Sequence, residues 1–211
     1  MRHKTLLVSP IAIRVPQQAR SRRRVKAIVR ASNALIRKHG VMGLKMSEVA
    51  TVARVPIGSV YQYFPTKSAL ISHLFALNLD VYHRLGQRYL MNVRSALQCA
   101  TALRRLLREV YADNRKNVLM REIWAGAQAD RTIRELHLWD NVVFCTLFAE
   151  ALKRVGSVTP EQLLWRRVRI VNEMWDGTVR LAITLGELEG RALIEESLEL
   201  GIRNLDLLAE P

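Results

Sequence analysis

KMSEVATVARVPIGSVYQYFPTKSAL, residues Lys45 to Leu70, decides how this chain is read. Val49, Ala50 and Ala53 fall at i, i+1 and i+4, one face of a short helix. Arg54 to Pro56 interrupts the pattern, because Pro56 lacks an N–H and biases Val55 toward an extended backbone. A second short helix, Ile57 to Phe64, places Val60 and Phe64 at i and i+4. Pro65-Thr66 closes it, and Thr66 is placed to cap a third helix that starts at Lys67.

Two helices joined by a tight turn are how a small domain presents one helix to the major groove of DNA. On the second helix Ile57, Ser59, Gln62 and Tyr63 point away from the apolar pair, and Gly58 allows close backbone approach. Gln pairs bidentately with adenine, and Ser and Tyr bond base edges or phosphates. On residue types alone, an ordinary solvated helix surface fits the same pattern.

The stretch resembles the DNA-binding domain of the TetR family of bacterial transcriptional regulators. The likeness is carried by Val49-Ala50, Ala53-Arg54-Val55-Pro56, Gly58-Ser59-Val60-Tyr61, Phe64, Lys67 and Leu70, and it extends upstream to about Val15. Arg54 stands where the family usually has Gly, Pro56 where it has Ser, and Lys45 where a Thr or Ser commonly caps the second helix. The resemblance implies that Tyr61 and Lys67 hold the DNA backbone, while Ser47, Ile57, Ser59, Gln62 and Tyr63 approach bases or neighbouring phosphates. Lys45 and Gly58 complete the expected contact set.

Charge agrees with a polyanionic partner. Residues 1–70 hold 14 Lys or Arg and one acid, Glu48, for a net +13; residues 71–211 hold 19 Lys or Arg and 18 acids, for +1. Nearly all the excess therefore lies on the third of the chain that carries the helix-turn-helix. With 211 residues and 49% hydrophobic residues, the chain is long and apolar enough for a sizeable core. Scarce Gly and Pro favour helix. Cys99 and Cys145 make neither a CxxC pair nor a disulfide framework, which fits a reducing cytoplasm. No apolar run approaches the ~20 residues of a membrane span. Thr5 to Val15 lacks the h-region and cleavage site of a signal peptide.

The expected fold is all-α. Residues 1–18 read as a flexible basic arm, 19–66 as a three-helix DNA-binding domain, and 67–211 as a helical effector-binding and dimerisation domain. The first helix runs from about Arg20 to Lys38 and stops at Gly40, with Val25, Ile28, Val29, Leu35 and Ile36 as its buried stripe. Arg22, Arg23 and Arg24 near its start are candidate phosphate contacts. A long helix from Lys67 to about Met91 presents Leu70, Leu74, Leu77 and Val81 on one face. Further helices are expected over 95–114, 117–127, 130–155, 160–185 and 191–208. Thr159-Pro160-Glu161-Gln162 reads as a capping box.

All four tryptophans lie in the charge-balanced part. Met120, Trp124, Trp139, Phe144, Phe148 and Trp175 are candidates to line an apolar cavity for a flat or greasy effector, although large aromatics equally fill cores and interfaces. The stripes of the two last helices suit packing within one subunit or against a second, and the family resemblance implies a homodimer, which fits a near-palindromic operator. No motif supports an enzyme: His3, His39, His73, His83 and His137 are scattered, no HExxH occurs, and KHGVMGLK lacks phosphate-loop spacing. Neither a cofactor nor a metal is expected. The function that follows is a transcriptional regulator, in the first place a repressor released by a small apolar or aromatic molecule. The other reading is a ligand-independent architectural or division-linked DNA binder.

Overall fold

A computed structural model describes residues 19–127 and 130–205, with the side chains of 125–127 excepted. The expected basic arm of residues 1–18 and the expected end of the last helix, residues 206–208, lie outside the described residues. Among those described, nine helices and no strand are found: α1 (Ala19–Gly43), α2 (Met46–Ala53), α3 (Ile57–Tyr63), α4 (Lys67–Leu90), α5 (Ala96–Lys116), α6 (Val118–Ala127), α7 (Arg131–Arg154), α8 (Glu161–Ala182) and α9 (Glu187–Asn204). None is long and apolar enough to cross a membrane. The chain forms two compact units that interleave along its length. One reaches Leu79 and takes in Asn117–Trp139; the other holds Asp80–Lys116 and everything from Asp140 onward.

In the first unit, Ile28, Ile36, Val49, Val60, Phe64 and Leu70 are fully buried, joined by Met120, Ile123, Ile133 and Leu136. Removing each such side chain from water contributes about 1.5–3 kcal/mol before entropy is counted. Thr66 caps α4 as expected, its Oγ1 accepting the Ala69 N–H at 3.0 Å. The α1 stripe is shifted: Ile28, Ala31, Ser32, Leu35 and Ile36 are buried, whereas Val25 and Val29 are only half-buried. Gly40 ends the regular part of α1 with φ 70° and ψ 171°, a backbone that strains any other residue. Here α6 meets it. The Val41 N–H donates to Glu122 Oε2 at 3.3 Å, and a Cβ on Gly40 would lie 2.7 Å from that oxygen.

α6 and the start of α7 are tied to α4 as well. Asn117 Nδ2 donates to Asn78 Oδ1 at 3.0 Å, and the Ser68 hydroxyl donates to Asp130 Oδ2 at 2.6 Å. Asp130 also caps α7 through the N–H groups of Thr132 and Ile133. The expected α4 face fails in its second half. Leu70 and Leu74 are buried, but Leu77 and Val81 are 45% and 52% exposed, and Ile71, Phe75, Leu79 and Tyr82 are buried instead.

The second unit is organised by α8 and α9, with α5 packed on them. Leu164, Val168, Val171, Trp175, Val179 and Ala182 form the inward stripe of α8, and Ile194, Leu198 and Ile202 that of α9. Two glycines bring the helices close. A Cβ on Gly190 would stand 2.5 Å from the Ala182 carbonyl oxygen, and one on Gly201 would stand 2.6 Å from Trp175 Cζ2. Gly190 thus lies inside α9, which starts four residues before the expected Arg191. The expected capping box of α8 is not formed either. Pro160, at φ −53° and ψ 139°, occupies the cap itself and no side-chain bond closes it.

Candidate nucleic-acid interface

α2, the turn and α3 have the geometry that the sequence pattern implies. Arg54 takes the left-handed conformation at φ 55°, ψ 43°, and its N–H reaches back to Ala50 and Thr51. An arginine thus sits where glycine would be unstrained, and Pro56 opens α3 at its cap. α3 turns Val60 inward, with Phe64 buried just past its end. Ile57, Gly58, Tyr61 and Gln62 are exposed, and Ser59 and Tyr63 half-exposed. A Cβ on Gly58 would meet nothing within 4 Å, so packing inside the chain does not require glycine there.

The neighbouring candidates surround this helix in sequence. Lys45 precedes α2 with an extended backbone, makes no side-chain cap, and lies 3.6 Å from Glu48. Ser47 is exposed, and its carbonyl accepts the Thr51 hydroxyl. Lys67 makes a contact that no local pattern announces: its Nζ donates to the Met42 carbonyl at 2.8 Å, joining the start of α4 to the end of α1. Arg22 and Arg23 are exposed and Arg24 half-exposed on α1, whose first turn holds no acid. His73 packs on Phe64 with ring centroids 5.3 Å apart, and burial pushes its pKa below the ordinary 6.5.

The six effector candidates divide between the units. Met120 is buried on α6, and Trp124 and Trp139 are half-buried, all three in the first unit. Phe144, Phe148 and Trp175 form a ring series in the second unit, with centroid distances of 6.0 and 5.8 Å and edge-to-face angles of 67°. His83 extends it, 5.3 Å from Phe144, and its Nε2 lies 2.6 Å from Asp140 Oδ1. Gly86 leaves room for Phe144, whose Cε1 would be 3.2 Å from a Cβ there. Trp175, 3% exposed, is pinned: its Nε1 donates to the Ser197 carbonyl at 2.8 Å. The partners Glu122, Asp140 and Ser197 are 81, 57 and 22 residues from the groups they hold, beyond any local pattern.

Residues 28–74 match the family described as bacterial regulatory proteins, tetR family, and residues 97–209 match the tetracyclin repressor-like C-terminal domain. The chain is 29% identical over 163 residues to the HTH-type transcriptional repressor KstR of Mycobacterium tuberculosis, covering 73% of this chain and 68% of that protein. Among solved structures, a TetR-family transcriptional regulator from Streptomyces coelicolor superposes with TM-score 0.64 at 25% identity, over 90% of this chain and 99% of the other. Thermus thermophilus FadR, a TetR-family repressor in complex with lauroyl-CoA, gives TM-score 0.63 at 22% identity, over 89% and 96%.

Proposed function

The chain belongs to the TetR family of bacterial transcriptional regulators, and we propose that it is a repressor that binds a near-palindromic operator as a homodimer and leaves it when a small apolar ligand binds. The observation that carries the DNA-reading part is α3, with Ile57, Gly58, Tyr61 and Gln62 turned to solvent over a buried Val60. In this reading Gln62, Ser59 and Ile57 approach base edges. Tyr61, Tyr63, Ser47, Lys45 and Lys67 hold phosphates, and Arg22, Arg23 and Arg24 reach the flanking backbone. Gly58 leaves the space that the duplex fills.

One seven-residue helix reads too few base pairs for useful specificity, so two must be paired about 34–36 Å apart to enter successive major grooves. α8 offers a surface for pairing. Leu163, Ile170 and Leu181, spaced by 7 and 11 residues, form a second, outward apolar line, with Ile170 68% exposed. Leu200 on α9 is also exposed.

For the ligand we favour a molecule with a long or flat apolar part, in line with the lauroyl-CoA held by Thermus thermophilus FadR. Phe144 and Phe148 are the preferred contacts, since Trp175 is already engaged by Ser197. Met120, Trp124 and Trp139 remain candidates on α6 and α7. A ligand preferring a conformation with another spacing of the reading helices lowers DNA affinity by that preference, and a coupling of about 1–3 kcal/mol changes occupancy by roughly 5–150-fold. The test is selection of duplexes from a random pool, followed by release assays with acyl-CoA and aromatic compounds. Recovery of no inverted repeat would overturn the operator reading. Recovery of a repeat from which no ligand releases the protein would favour the architectural reading.

A further inference from the structure

The facing sides of α5 and α9 form an ion-pair ladder that stops short. Arg104 donates through Nε and Nη2 to Glu199 Oε1 at 3.1 and 2.7 Å. One turn on, Arg108 donates to both oxygens of Glu195 at 2.7 and 2.5 Å. The helices are antiparallel in this register, so each step of four along α5 goes four back along α9. The next rung is Ala112 opposite Arg191, and the one after it is Lys116 opposite Glu187. Ala112 offers no carboxylate. Arg191 instead turns along its own helix to Glu187 at 2.5 Å, taking the partner that the register assigns to Lys116. No hydrogen bond or ion pair holds Lys116 among the described residues.

Where the rungs fail, a cleft of about 710 Å³ opens, lined by Tyr111, Arg115, Lys116, Glu187, Arg191 and Ile194 together with the Arg108–Glu195 pair. Tyr111 is buried, and its hydroxyl accepts Arg115 Nη1 at 3.1 Å, with that guanidinium 5.9 Å above the ring. Beyond the Arg108–Glu195 pair, three cations therefore face one carboxylate across a concave floor. The size falls within the range of small-molecule sites. Two guanidinium forks and an ammonium on the wall of one cleft match a divalent oxyanion better than a single carboxylate.

We propose that this cleft binds the phosphoryl group of a small phosphorylated molecule, with Arg115, Lys116 and Arg191 as its ligands and the rest of the molecule lying along the cleft. The site is separate from the DNA-reading face and from the ring series. It gives the second unit an anion-responsive surface of its own.

The test is calorimetric titration of the full-length protein with inorganic pyrophosphate, inorganic phosphate and acetate at matched ionic strength. Saturable binding of pyrophosphate and phosphate is expected, with acetate weaker. Lys116→Ala and Arg191→Ala should each weaken pyrophosphate about five- to tenfold, the loss of a charge-assisted hydrogen bond at an exposed site. Because Arg191→Ala also frees Glu187, Arg191→Gln serves as a second variant at that position. Arg105→Ala elsewhere on α5 should leave the affinity unchanged, and the α1 variant Arg22→Ala/Arg23→Ala, which removes phosphate contacts of the DNA-reading face, tests whether that face takes the pyrophosphate instead. The proposal fails if pyrophosphate does not saturate, if acetate binds equally well, or if the α1 variant loses pyrophosphate while Lys116→Ala and the Arg191 variants keep it.

Discussion

Replacing Gly201 by alanine puts a methyl group where the Trp175 indole already stands. The new Cβ would lie 2.6 Å from Cζ2 and 2.7 Å from Cε2 and Nε1, far inside ordinary contact. The indole has little room to yield. Its Nε1 is bonded to the Ser197 carbonyl, and its ring is braced edge-to-face by Phe148. Overpacking of this kind costs about 1–3 kcal/mol, and loss of the indole hydrogen bond adds about 1 kcal/mol. Alanine recovers about 1 kcal/mol in helix propensity. The net is a destabilisation of about 1–3 kcal/mol, or roughly 2–4 °C in Tm per kcal/mol for a chain of this size. Differential scanning calorimetry at fixed protein concentration reads it. The same substitution in a Trp175→Leu background should cost nothing or stabilise, because the ring it strikes is gone. A Gly201→Ala protein melting at or above the parent, or losing as much in the Trp175→Leu background, would refute the packing argument.

Arg54→Gly should raise stability by about 0.5–1 kcal/mol in urea unfolding, since it relieves a left-handed arginine worth about 1–2 kcal/mol while adding unfolded-state entropy. In fluorescence anisotropy, Gln62→Ala should relax preference at one base position. Tyr61→Phe should weaken binding to all sequences alike, and Lys67→Ala should do so while reducing the salt slope by about one. Burial depresses the folded pKa of His73, so the unfolded state binds its proton better. Its contribution to stability is therefore complete above about pH 6.5 and falls as pH drops below that value toward the folded pKa. His73→Gln should remove that part of the decline in urea midpoint between pH 7.5 and 5.5.

The reading helix was legible because its signals are local. Pro56, Gly58 and the Val60–Phe64 spacing all act within eight residues, and the structure places α3 at Ile57–Tyr63. Gly40 as a helix stop was legible for the same reason, through its positive φ. Arg54, one of three departures from the family pattern, still takes the left-handed turn conformation, so the backbone geometry overrode the preference of the side chain. Misreadings arose where tertiary contact decided. Leu77 and Val81 continue an apolar spacing on α4, but the helix buries Phe75, Leu79 and Tyr82 instead. The last helix was expected only from residue 191, leaving Gly190 outside it, because a glycine alone does not reveal whether it serves φ or close approach; here it serves approach to Ala182. Between cavity wall and core, the two readings open for Trp175, nothing local announces that Ser197 takes its N–H.

The grip of α6 on the end of α1 also bears on how such a protein can be cut and recombined. Glu122 holds the Val41 amide, Asn117 holds Asn78, and Asp130 holds Ser68. Each clasp joins the reading head to a segment that arrives some 40 to 80 residues later in the chain. A chimera that transplants only the leading residues of this head onto a relative's body would inherit three carboxylate or amide positions tuned to another head. The natural cassette for such an exchange is discontinuous: the residues up to Leu79 together with Asn117–Trp139.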